Sequence, residues 1–147
     1  NFLYLGLITT VFPQSKIIHV KRNPAATCWS NYQHFFDSQK LRYCHNLSDI
    51  INYYGMYENL MGFWQKSFGD MIYNLDYEML TVDQEKETKR LINFLDLDWE
   101  RTCLSPHKNT RIVQTTSNFQ VRKKIYQGSS NTWEKFKPFL NKILDEI

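Results

Sequence analysis

KIIHVKRNPAATCWSNYQHFF, residues Lys16–Phe36, reads as a strand, a sharp corner and a helix built to hold an anion. Lys16–Val20 is a short β-branched run of strand type. Arg22 follows at the strand's end, Asn23 is a favoured N-cap, and Pro24 falls where the first helical position should be. A helix opening there points free backbone N–H groups and its positive dipole end toward the corner where Arg22 projects. Arg22 adds a planar fork of donors suited to phosphate or carboxylate. Asn23, Thr27, Ser30 and His34 recur at helical spacing as a polar stripe rising from that corner. Ala25, Cys28, Trp29, Tyr32, Phe35 and Phe36 form the opposite, core-facing side. Arg22 and Ser30 are therefore expected to reach one ligand. The competing reading is an ordinary βα unit whose arginine serves a carboxylate of the chain itself.

Outward from this segment, Phe2–Phe12 reads as a helix stopped before Pro13, and the Arg22 corner opens a helix over Pro24–Phe36. Asp37–Leu47 reads as a polar loop, and Ser48 as the N-cap of a long helix to about Phe68, with Ile51, Tyr54, Leu60, Met61 and Trp64 on its buried side. Met71–Leu75 is a second strand pattern. Asp83–Leu95 is a charged amphipathic helix burying Leu91, Ile92, Phe94 and Leu95, and a last helix runs from about Asn131 to Ile147. Strands alternating with helices predict an α/β fold with a parallel sheet. Two strands are too few for a complete sheet, so the sequence reads as one partial domain, the later part of a larger α/β domain.

Composition narrows the function classes. Ten Phe, nine Tyr and four Trp among 147 residues imply a core of large plates whose polar tips need partners. A net charge of +3 suits an anionic ligand but is far from the basic stripe of a nucleic-acid binder. No apolar run approaches the ~20 residues of a membrane span, and no signal peptide is visible, so a cytoplasmic setting is expected. Cys28, Cys44 and Cys103 form an odd set without a disulfide pattern. Cys44-His45 and Cys103 with His107 lack zinc-site spacing, so no metal is expected. No catalytic triad or carboxylate pair is discernible.

KIIHVKRNPAATCWSNY resembles the segment by which sulfotransferases hold 3′-phosphoadenosine 5′-phosphosulfate (PAPS). In that family an Arg at the strand end and a Ser eight residues later bind the cofactor's 3′-phosphate, and both map here, onto Arg22 and Ser30. The similarity continues through YGMYENLMGFW (Tyr54–Trp64), IYNLDYEML (Ile72–Leu80), LINFLDLDWERTCLSPH (Leu91–His107), TTSNFQVR (Thr115–Arg122) and the run ending SSNTW at Trp133. Together these segments resemble the bacterial sulfotransferases often attached to tetratricopeptide repeats and, more distantly, tyrosylprotein sulfotransferases. The resemblance implies a P-loop-type three-layer domain, predominantly helical over this stretch.

The resemblance also implies roles. Tyr77, at the end of the second strand, would lie against the adenine, and Ser117 with Gln120 would line the nucleotide site. Cofactor and product would be PAPS and adenosine 3′,5′-bisphosphate, and a hydroxyl or amine would accept the sulfuryl group, on a small molecule or a protein. No GxxxxGK[ST] occurs, nor the related loop that grips the 5′-phosphosulfate, and in the family that loop, the catalytic base and a lysine lie upstream of the Arg…Ser segment. This stretch is therefore expected to carry the 3′-phosphate and adenosine half of the site, to be inactive alone, and to self-associate through truncated edges. The alternative is a non-catalytic nucleotide-binding or interaction module. Two departures from the family stand out: Thr132 precedes Trp133 where relatives tend to have Arg or Lys, and Ala26 stands where they often carry an acid.

Overall fold

Asn and Asp side chains open four of the helices, because their oxygens accept the orphan N–H groups of a first turn. In the computed structural model, which describes residues 1–36, 38–113, 120–140, 142–145 and 147, α1 spans Leu5–Val11 and β1 Ile17–Lys21. Asn23 then caps α2 (Pro24–Gln33) by accepting from the Ala26 N–H at 2.9 Å. Asn46, rather than Ser48, caps α3 (Leu47–Phe68), accepting from Ser48 and Asp49. β2 (Ile72–Asp76) passes straight into α4 (Tyr77–Val82), with Asp76 bonding the Met79 N–H at 2.8 Å. Asp83 does the same for α5 (Gln84–Phe94).

β1 and β2 pair in parallel, with Ile17 opposite Ile72 and Lys21 opposite Asp76. Successive strand residues point to opposite faces. His19 reaches Tyr57 of α3, while Tyr73, in register with Ile18, meets the Phe94 ring of α5 at 5.2 Å. Helices thus flank a small parallel sheet in a mostly helical structure, as an α/β reading requires. Two apolar clusters hold it. One joins Ala25, Cys28 and Trp29 of α2 to Cys44, Ile50, Trp133 and Leu144. The other joins Leu5, Met61 and Ile72, with Trp64 and Phe68 packed on them.

The differences from sequence have local causes. α2 ends at Gln33 instead of Phe36 because the His34 imidazole takes the Ser30 carbonyl at 2.7 Å and the backbone turns extended there. Phe35 is consequently 83% exposed and stacks on His45, and Tyr32 is also largely exposed, so neither belongs to the core. The expected loop before α3 holds 3-10 turns over Gln39–His45. The expected final α-helix is instead a 3-10 run, Ser129–Phe139, followed by turns. Pro138 has no N–H to continue an α-helical ladder, and the run starts at Gly128 in the left-handed region, φ 89°. In α5 the one buried side chain is Glu87, held by Arg90 at 2.8 Å, while the apolar residues are half-buried.

Candidate nucleotide site

Parallel, in-register strands end side by side, so the residues after Lys21 and Asp76 emerge together. Those residues are Arg22 and Tyr77, and the Arg22 guanidinium carbon sits 5.5 Å from the centroid of the Tyr77 ring. The carboxyl ends of parallel strands are the usual ligand edge of an α/β sheet. Tyr77 itself is the first residue of α4 rather than the last of the strand.

A polar ring closes around this pair. The Arg22 Nη2 group donates to the Ser129 carbonyl at 2.9 Å and Nε–H to Ser130 Oγ at 3.2 Å. The Ser130 hydroxyl donates to Glu78, which also accepts the Asn23 N–H at 3.3 Å. Ser129 Oγ donates to the Tyr77 hydroxyl oxygen at 3.2 Å. The start of α2 is therefore less open than the sequence suggests. Pro24 has no N–H, Asn23 covers that of Ala26, and the chain's own Glu78 carboxylate sits at the helix entrance. Arg22 serves a carbonyl and a hydroxyl, and reaches Glu78 only through Ser130.

Beside this ring lies a cleft of about 460 Å³. Arg22, Ser30, Tyr77, Gln120, Ser129 and Thr132 line it, together with Lys123 and Lys124, and among the described residues no Asp or Glu does. Among the described lining residues, three permanent cations and no carboxylate favour a multiply charged anion. Four of the expected residues, Arg22, Ser30, Tyr77 and Gln120, thus share one cleft, and Ser117 lies outside the described residues. Arg122 turns aside and donates to the Arg111 carbonyl at 2.6 Å. No local signal in the sequence points to Lys123, Lys124 or Ser129; their approach depends on how the C-terminal segment folds back.

Arg22 and Ser30 also border a second cavity, of about 400 Å³, walled by Phe2, Tyr43, Tyr53, Tyr54 and Tyr57. Burial pushes the Tyr43 phenol up to about 12, with the neighbouring Cys44 adding to it. Burial, reinforced by Glu58, also raises Tyr54 and Tyr57. All three stay protonated, as hydroxyl donors on a wall that also carries the polar side chains of Arg22, Thr27, Ser30 and Asn31.

A family model described as "Sulfotransferase family" matches residues 1–101, more than half of the sequence and the part that contains Arg22, Ser30 and Tyr77. The chain belongs to the sulfotransferase family. It is also similar to an uncharacterized protein of Aquifex aeolicus (strain VF5), 36% identical over 147 residues, which covers 99% of this chain and 19% of that protein. The chain thus spans about a fifth of the length of this relative. Within the sulfotransferase frame, the match ends before Gln120, Lys123 and Lys124, so that side of the cleft lies beyond the shared region. No described helix is long and apolar enough to cross a membrane.

Proposed function

We propose that the cleft beside Arg22 and Tyr77 binds the 3′-phosphate and adenosine end of PAPS for a sulfuryl transfer to a hydroxyl or amine. The observation carrying this reading is that Arg22, Ser30 and Tyr77 line one cleft with two lysines and, among the described residues, no acid. Phosphate is best met by charge-assisted donors. Arg22 keeps three of its five N–H groups beyond those given to Ser129 and Ser130. Ser30, on α2 facing the same cleft, supplies a hydroxyl. Tyr77 supplies a ring, one side of which faces Arg22; a purine stacked on such a ring gains about 1–3 kcal/mol. Ser117 belongs to the proposed set through the family resemblance.

When bound, PAPS supplies an activated sulfuryl group; the residues here fix its far end, and catalysis of this kind rests on positioning and charge stabilisation. None of them is assigned as the base that takes the acceptor's proton. The domain reading is likewise a proposal, of a P-loop-type three-layer unit to which this stretch contributes the later part. Leu3 in the 3-10 turn before α1, Leu7 and Val11 on α1, and Ile18 and Val20 on β1 are 40–63% exposed, a surface suited to further strands or helices. Titration calorimetry on the full-length protein tests the ligand: adenosine 3′,5′-bisphosphate should bind more tightly than AMP, and equal affinities overturn the assignment.

A further inference from the structure

We infer that the second cavity holds the acceptor and that this acceptor is a flat aromatic alcohol, its ring on the tyrosines of α3 and its hydroxyl toward α2; this rests on the sulfuryl-transfer reading above. Ile50, Tyr53, Tyr54 and Tyr57 recur at helical spacing, so one face of α3 gives the cavity three rings. Thr27, Ser30 and Asn31 recur likewise on α2 and bring two hydroxyls and an amide to the same cavity. Tyr43 stacks on Tyr53 with centroids 4.2 Å apart and planes at 21°. Phe2 stands edge-on to Tyr57 at 5.2 Å and 80°, and Tyr54 is tilted against Tyr57 at 5.2 Å. Planes so differently set offer a further ring both stacked and edge-on neighbours, contacts that a saturated ring does not make. At about 400 Å³ the cavity has the size of a small-molecule site, in which a few polar groups orient a ligand on a largely apolar wall. Among the described lining residues Arg22 is the one charged side chain, and burial keeps the Tyr43 and Tyr54 phenols neutral, so no anionic group is there to hold a cationic amine. Arg22 and Ser30 border both cavities, so a hydroxyl turned toward α2 lies on the side shared with the nucleotide. The hydroxyl oxygen forms its bond to sulfur as the bond from sulfur to the 5′-phosphate oxygen breaks. The phosphate keeps that electron pair, and the hydroxyl proton is released to water.

The test is titration calorimetry on the full-length protein with 2-naphthol and its saturated counterpart decahydro-2-naphthol, each with and without saturating adenosine 3′,5′-bisphosphate. 2-Naphthol should bind about tenfold more tightly than the saturated alcohol, should still bind beside the bisphosphate, and should yield its sulfate ester when PAPS is supplied. Tyr53→Leu should weaken 2-naphthol about threefold or more while Tyr53→Phe does not, with bisphosphate affinity unchanged in both. Equal affinities for the two alcohols overturn the inference, because the rings are then not read. Expulsion of 2-naphthol by the bisphosphate also overturns it, since the cavity then belongs to the nucleotide. Binding without any ester overturns the acceptor role. An unaffected Tyr53→Leu removes the α3 rings from the site, and the comparison of alcohols on the unsubstituted protein decides the matter if that variant fails to fold. Each of these outcomes leaves the nucleotide reading intact; equal binding of the bisphosphate and AMP, with 2-naphthol still preferred, overturns that reading and the acceptor role with it.

Discussion

The Arg22 guanidinium donates to the Ser129 carbonyl at 2.9 Å, joining the end of β1 to a segment 107 residues later. One side chain thus borders the proposed phosphate and pins the C-terminal run to the sheet edge. Arg22→Ala should therefore lower stability by about 1–2 kcal/mol, the cost of hydrogen bonds lost from a charged donor at a partly buried site. It should weaken bisphosphate binding as well. Arg22→Lys keeps the charge but not the fork, and should recover less than half of each. Melting temperature and calorimetric affinity, measured on the same variants, check the pair.

Tyr77 separates ring from hydroxyl. Tyr77→Phe removes the oxygen that accepts from Ser129 at 3.2 Å and should cost about 0.5–1.5 kcal/mol of stability, with nucleotide affinity nearly unchanged. Tyr77→Ala should weaken nucleotide binding by about 1–3 kcal/mol through lost stacking. Equal affinities for the Phe and Ala variants would remove the ring from the adenine site.

Gly6 is a packing test remote from the site. A Cβ there would stand 2.8 Å from Cη2 of Trp64, whose indole N–H is already tied to the Phe2 carbonyl at 2.9 Å. The ring has little room to retreat, so Gly6→Ala should destabilise by about 1–3 kcal/mol in a urea melt.

Burial pushes the Cys28 thiol up from 9.0 to about 11, with Glu58 adding to it, and burial also raises Cys44. The neutral thiol is the form the folded chain favours. Its contribution to stability is complete below pH 9.0 and is lost as pH rises from 9.0 through about 11, where the unfolded chain releases the proton first. At pH 8 a thiol reagent should modify the half-buried Cys103 in the native protein and spare Cys28 and Cys44 until denaturant is added. Mass spectrometry of the labelled peptides reads the order.

Leu7 and Val11 of α1 and the following Phe12 are 57–64% exposed. An isolated 147-residue chain should therefore self-associate, whereas light scattering should show Leu7→Glu/Val11→Glu shifted toward monomer. A monomeric unsubstituted chain would show that this face needs no cover.

The residues that made themselves legible in sequence act through near neighbours. Asn23, Pro24 and the β-branched run of β1 specify strand, corner and helix start within four positions, and the structure shows each. The placing of Arg22 at a strand end followed from the same local signals. Tertiary structure decided what Arg22 touches. Ser129 and Ser130 approach it because Trp133 and Leu144 bury against Ala25, Cys28 and Trp29, a contact with no sequence period to announce it. The same folding-back brings Lys123 and Lys124 to the cleft and sets Ser130 against Glu78, which closes the helix entrance that sequence alone left open to an anion. It also settled the C-terminal run as 3-10 turns: Pro138 breaks the α-helical ladder, and burial of Trp133 and Leu144 stabilises the run in place of regular hydrogen bonding. Local capping and periodicity are written in neighbouring residues, but a cleft assembled from the end of β1, α2, α4 and a distant C-terminal segment exists only once the chain has packed.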